Sequence, residues 1–372
     1  MVLFIYVSLI LANLFIGLRR YFHPFNKSKN RLNVIIFILS FIGFCILMIG
    51  YRNFSGLSND LLNNQAEYNS FLNYRESEYE IIYRLLMGLG RINQLDFYTW
   101  RATVLFAGLL LHFFCIYKWL PNPHLYLSFF SMFYLIQGAE LYRNFVAFVI
   151  FFTGGIIYLY SKVKHKNITF GIFILIAGLI HSSYLLYFIF LIFNRKVSQK
   201  TINMLISIAL LLCVFIFING NKIPGLTLIT SFLGDESRLM NYFDTPTRFG
   251  FIIFFLLHFS SLFLFRYMEK YGIKSEAIML AKKMTLVTML FFPLYMIDGT
   301  FIRIGRNLLP FLYGVQGEYI LDKSSDRKKI IYLVFTFLAV SFWMYNTFFI
   351  SSRPEVLFYP FFTDNIFFNP QF

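Results

Sequence analysis

LNVIIFILSFIGFCILMIG, residues 32–50, carries no charged side chain along its length. Wound as an α-helix it is about 28 Å long, close to the roughly 30 Å hydrocarbon layer of a bilayer. Outward from this stretch the same apolar texture recurs near 2–18, 97–117, 124–140, 143–160, 202–219, 249–265, 284–298, 300–320 and 330–350. Of the 372 residues, 58% are hydrophobic and 14% charged, and mean hydropathy is +0.64. Soluble domains carry nearer a quarter charged residues. The chain is therefore expected to be all-α, a polytopic transmembrane helix bundle of about 10–12 spans. It reads as a single transmembrane domain over 1–372, because no stretch between apolar runs is long enough for a separate core. The first run has no basic residue before it and no small-residue cleavage site after it; Arg19 and Arg20 follow instead. That pattern predicts a membrane anchor with its N-terminus outside, not a cleaved signal peptide.

Net charge is +15. In a soluble protein this would suggest nucleic acid. Here the basic residues collect in loops, as the positive-inside rule predicts, and no nucleic-acid partner is expected. The clusters are Arg19 to Arg31, Lys162 to Lys166, Arg195 to Lys200, Arg266 to Lys283, and Lys323 to Lys329. If all are cytoplasmic, the ten runs alternate without conflict and both termini lie outside. One apolar segment, 168–194, has basic clusters at both ends. It must turn back near His181, Ser182 and Ser183 as a short helix pair or re-entrant hairpin, with arms of about 20 Å. The outer loops are then about 51–96 and 220–248, with an outer tail from Ser351. Tyr79, Ile82, Leu86 and Leu89 fall on one side of a helical stretch expected to lie in the outer interface.

On this topology lysine and arginine part company. Only Lys222 of the lysines falls outside, whereas Arg52, Arg75, Arg84, Arg91, Arg101, Arg143, Arg238, Arg248, Arg303, Arg306 and Arg353 are outside or at the outer edge. The positive-inside rule does not explain them. A guanidinium offers five donors in a plane and suits phosphate or carboxylate. Snorkelling to lipid headgroups or local pairing is the ordinary alternative, and Glu80 is the expected partner of Arg84. Arg143, Arg303 and Arg306 are each read at the start of a helix entering from outside, where a cation costs roughly 0.3–1 kcal/mol. An anion such as diphosphate would offset that cost; pairing with Glu140 or Asp298 is the alternative. Arg303 and Arg306, three apart, share a helix face.

His181, at the apex of the two arms beside two serines, is a candidate base; a lone histidine in an apolar run is otherwise a packing residue. Asp60 and Glu67 share an outer segment and form a second candidate base or metal pair, against solvated loop acids. His112 and His258 lie within ordinary spans and receive no role. Cys45, Cys115 and Cys213 sit in apolar runs and read as packing residues. No zinc spacing, phosphate loop, GxSxG or HExxH occurs, and no metal or cofactor is expected.

Five pieces, in order, resemble the EpsG-like Wzy polysaccharide (O-antigen/exopolysaccharide) repeat-unit polymerases. They are GYRNFSGLSNDLLNNQAEY at 50–68, with Arg52, Gly56, Asp60 and Tyr68; EIIY at 80–83; Gln137 with RNFVA at 143–147; LIHSSY at 179–184; and FIRIGRN at 301–307. The resemblance covers most of the chain. It implies a GT-C-like glycosyltransferase in the bacterial plasma (inner) membrane with its active site on the outer side. Its substrates would be undecaprenyl-diphosphate-linked oligosaccharides, with membrane lipid around it and flippase and chain-length regulator proteins as possible partners. It assigns Arg52, Arg143, Arg303 and Arg306 to the diphosphate. Tyr68, Glu80, Tyr83 and Gln137 would contact substrate, and His181 or Asp60 would serve as base. Outer aromatics such as Tyr68, Tyr74 and Tyr242 would stack on sugars, beside their ordinary interfacial role. Three rivals stand: a flippase for the same lipid, a membrane O-acyltransferase, and an O-antigen ligase of nearly the same chemistry.

Overall fold

The computed structural model describes residues 1–22, 31–54, 56, 59–71, 79–193, 197–222, 249–272, 275–322 and 326–369. These are helical, with no strand among them and one isolated bridge between Tyr51 and Asn365. Tyr74, Tyr242, Arg75, Arg238, Arg248 and most of the expected 220–248 loop lie outside the described residues.

Eight helical runs of the described residues are long and apolar enough to cross a bilayer. They are α1 (Val2–Phe22), α2 (Arg31–Gly50), α5 (Phe97–Trp119), α7 (Tyr142–Tyr160), α10 (Gln199–Ile218), α11 (Gly250–Tyr271), the run from α12 (Glu276–Val287) through α13 (Phe292–Ile297), and α16 (Asp326–Tyr345) with its extension. Two of the ten expected spans differ from this pattern for one physical reason: they face protein, not lipid. The helix α6 (Pro123–Glu140) has all 18 residues buried and packs on α1, α2, α7, α16 and α15 (Leu309–Leu321). Most of its polar side chains are usable because they meet protein partners. His124 bonds Asn13 at 2.8 Å, and the Tyr126 hydroxyl lies 3.1 Å from His112 Nε2.

The expected 300–320 span is broken. A 3-10 turn (Gly299–Phe301) leads into a five-residue helix, α14 (Ile302–Arg306), and then into α15. Pro310, near the start of α15, has no N–H to offer the carbonyl four residues back, which is that of Arg306. The Tyr134 hydroxyl takes that carbonyl instead. Leu308 N bonds Gly305 O, leaving Ile304 O to the Tyr187 hydroxyl at 2.9 Å. Three buried tyrosines thus surround the break, since Tyr184 meets Asn307 at 2.9 Å. Arg303 and Arg306 consequently stand in a short helix ahead of the span, not at the start of a continuous one.

The segment 168–194 turns back as two arms. One is α8 (Lys166–Gly178); the other is a 3-10 helix (Ser182–Phe188) continued by α9 (Ile189–Ile192). The arms touch at Gly178, where a side chain would run into Leu185. Gly154 and Gly155 similarly let α7 approach Phe173 of α8 and Phe311 of α15.

The expected outer loop 51–96 contains two helices, α3 (Asn59–Ser70) and α4 (Ile81–Ile92). Tyr83, Met87 and Gly90 form the buried face of α4, while Ile81, Leu85, Leu89 and Ile92 are exposed. Its apolar outer face is thus set off from the Tyr79–Ile82–Leu86–Leu89 stripe by part of a turn. The tail contains α17 (Phe358–Thr363), packed on Tyr6 of α1 and Tyr51.

Charge divides the two ends. Lys283 reaches Val197 O at 3.1 Å, Lys282 pairs with Glu269, and the Tyr267 hydroxyl meets Lys328 O, so the lysine-rich loops share one end. The turn at 181, the start of α7, α3, α4, α14 and the tail gather at the other, which we call the arginine end.

Candidate active site

A cleft of about 600 Å³ opens at the arginine end. Its walls are Asp60 of α3, Gln137 and Glu140 at the end of α6, Gly250 and Phe254 of α11, Arg303 and Arg306 of α14, and the last turns of α16. Four sequence-chosen residues therefore meet on one cavity: Asp60, Gln137, Arg303 and Arg306.

Arg306 is the unusual member. It is 5% exposed, and among the described residues its Nε and Nη2 have no hydrogen-bond partner. An unmet buried donor costs about 1–3 kcal/mol, and more when charged. Its nearest compensation is weak, the Phe133 ring at 6.0 Å. Half-buried Arg303 lies on the same wall. Asp298, weighed above as a partner for these arginines, instead caps the 3-10 turn through Thr300 N at 2.6 Å.

Across the cleft stand two carboxylates. Asp60 is exposed in the first turn of α3, where the helix dipole favours a negative charge. Glu140 is buried; its Oε1 accepts from Leu61 N at 3.1 Å and its Oε2 from the Tyr51 hydroxyl at 2.8 Å. It caps α3 from a different helix and fixes Asp60 on the cleft wall. It does not pair with Arg143, as one reading of the sequence had it. Asp60 and Glu67 are seven residues apart on α3, about 10 Å along its axis, too far to share a metal ion.

A second cluster lies beside the cleft. Glu80 pairs with Arg143 at 3.1 Å and accepts from Ser182 N at 2.8 Å, so it joins α4, α7 and the hairpin apex. The expected partner Arg84 is not the one it takes. The Arg143 guanidinium also lies 4.3 Å from the Tyr79 ring. His181 is half-buried, with Nδ1 2.9 Å from Ser183 Oγ. Burial first, and then the positive charges of Arg143 and Arg303, oppose protonation of its ring. His181 does not line the cleft. Asp60, by contrast, stands on the cleft wall.

Three assignments need correction. Tyr68 is fully buried, stacked on Trp100 at 4.6 Å with its hydroxyl on Leu95 O, so no sugar reaches its ring. Tyr83 is buried too, its hydroxyl shared between Asn64 and Tyr142. Arg52 donates to Ile49 O at 2.7 Å and Tyr51 O at 3.2 Å, and so closes the C-terminus of α2 rather than facing the cleft. Arg101 does the same on a larger scale, reaching Met48 O, Tyr51 O and Ala139 O from a fully buried position. Cations at helix C-termini are favourable, so these two arginines are structural.

Two cleft residues carry no sequence signal of their own. Trp343 and Asn346 stand where α16 passes into a π-helical turn, Asn346–Ser351. The uncharged run 330–350 reads as an ordinary span, with Asn346 its one amide.

A family model described as the EpsG family matches residues 34–363. No curated protein and no solved structure gives a match.

Proposed function

The chain belongs to the EpsG family, and we propose that it is a membrane glycosyltransferase polymerising undecaprenyl-diphosphate-linked oligosaccharide repeat units at the outer face of the bacterial plasma membrane. The observation that carries this reading is Arg306, a buried guanidinium with two unbonded nitrogens on a large cleft, with Arg303 beside it. A diphosphate supplies the acceptors those nitrogens lack. The lysine-rich end is cytoplasmic by the positive-inside rule, so the cleft faces outward. It lies between the start of α11 and the end of α16, two spans with exposed apolar faces, so a polyprenyl chain can remain in lipid while its headgroup enters.

The reaction follows from the two walls. The bond between the donor's anomeric carbon and its phosphate oxygen breaks, and both bonding electrons leave with the lipid diphosphate. Arg303 and Arg306 meet the negative charge that develops there. An acceptor sugar hydroxyl on the next lipid-linked unit bonds to that anomeric carbon and gives its proton to Asp60. Glu140 holds α3, and so Asp60, in position.

A flippase is the other reading of a cationic polytopic protein. It requires a cavity reachable from both faces, whereas the walls of this cleft all come from arginine-end segments. The test is incubation of purified protein with synthetic lipid-linked repeat units. A ladder of products is expected. A single transfer would indicate a ligase, and transport without transfer a flippase.

A further inference from the structure

Three residues on the cleft wall carry buried polar atoms without partners among the described residues: Arg306 Nε and Nη2, Trp343 Nε1, and Asn346 Oδ1. The diphosphate reading uses the first. It does not explain the other two, which are a neutral donor and a neutral acceptor. Trp343 and Asn346 are three residues apart, hence on one face of α16. Both are nearly inaccessible, 2% and 1% exposed.

Burying an indole N–H and an amide oxygen without partners is costly, at roughly 1–3 kcal/mol each. A phosphate cannot satisfy the pair, because it offers only acceptors. A hydroxyl can, since it accepts from the indole N–H while donating to the amide oxygen. The helix changes character at this point: Asn346 begins the π-helical turn, and π turns inside helices recur at functional sites. Asn346 Nδ2 reaches Ser351 Oγ across the turn at 3.4 Å, and Thr347, Ser351 and Ser352 add hydroxyls to the same wall.

We infer that Trp343 and Asn346 form a sugar subsite on the π turn of α16, which reads a hydroxyl of the pyranose joined to the diphosphate held by Arg303 and Arg306. This deepens the proposed function and rests on it. The unpartnered atoms are covered in this structure, so the sugar meets them as the π turn yields.

The test compares two ligands on purified full-length protein: a short-chain polyprenyl diphosphate bearing the repeat unit, and the same lipid diphosphate without sugar. The variants are Trp343→Phe, which removes the indole N–H, and Asn346→Leu, which removes the amide at similar bulk. Each variant should bind the sugar-bearing ligand about tenfold more weakly, the effect of roughly one buried hydrogen bond, and the sugar-free ligand unchanged. Equal weakening for both ligands, or none for either, overturns the subsite. A readout on the wild type guards against variants that fail to accumulate. The ¹⁵N–¹H indole resonance of Trp343 should move downfield with the sugar-bearing ligand only. Trp100, whose Nε1 already donates to Leu86 O at 2.8 Å, is the internal reference. No movement at Trp343 overturns the proposal. If the wild type binds lipid diphosphate but gains nothing from the sugar, the subsite falls and the polymerase reading stands. If it binds neither ligand, both fall.

Discussion

Replacing Arg306 with methionine should make the ligand-free protein more stable while abolishing its activity. The guanidinium is 5% exposed with Nε and Nη2 unbonded. Two unmet donors at about 1–3 kcal/mol each give a penalty of about 2–6 kcal/mol that methionine removes. Against this stand the distant contact with Phe133, worth about 0.5–1 kcal/mol, and some lost packing. The net gain should be about 1–4 kcal/mol, read as a higher midpoint of thermal unfolding in detergent. Adding lipid diphosphate at a hundredfold its dissociation constant should stabilise the wild type by about 2.7 kcal/mol, and the methionine variant far less. Transfer should fall by about 10²–10³, the loss associated with one transition-state donor. Lysine at this position keeps charge but not the planar fork, and should recover little activity. A methionine variant less stable than the wild type would refute the reasoning, because Arg306 would then be satisfied without ligand. Retained activity would refute it equally.

Asp60→Asn should lower the rate of transfer by about 10²–10⁴ while leaving lipid diphosphate binding intact, and His181→Gln should do much less; the reverse order, measured by single-turnover transfer, would return the base to the hairpin apex. Arg101→Leu strips Met48 O and Ala139 O of this donor, Tyr51 O keeping Arg52, and should cost about 2 kcal/mol or more, seen as loss of folded protein by size-exclusion chromatography; normal yield would show that water replaces it. In a background without native cysteines, single cysteines at exposed Asn63 and Ser70 should react with an impermeant thiol reagent on intact cells, whereas those at Lys164 and Gln199 should not. Labelling of the second pair alone would invert the topology.

The lipid solvent makes much of this fold legible. A helix exposed to hydrocarbon must be apolar along its length, so α2 and α10 announce themselves. Two basic clusters flanking 168–194 suffice to require a turn, and the turn does fall at His181. The helix α6 and the broken segment 299–308 are harder, because their solvent is protein and tyrosine hydroxyls stand in for missing backbone bonds. Within the site, Arg303 and Arg306 are legible from their place at the outer edge, beside a three-residue spacing that puts them on one helix face. Arg52 and Arg101 cannot be told from them by sequence, because what differs is which helix C-terminus lies alongside. Tyr68 and Tyr83 look like surface aromatics until α3 and α4 fold onto the bundle. Glu140 becomes a cap for α3 only once two segments eighty residues apart in the chain meet. Trp343 and Asn346 depend on a π turn that no local pattern announces.

The most direct measurement places the protein in liposomes in one orientation and supplies lipid-linked repeat units in one leaflet at a time. The account predicts a ladder of polymer only when the units occupy the leaflet at the arginine end, and loss of that ladder in Arg306→Met. A ladder made from units in the leaflet at the lysine end, or made equally from both, would contradict it.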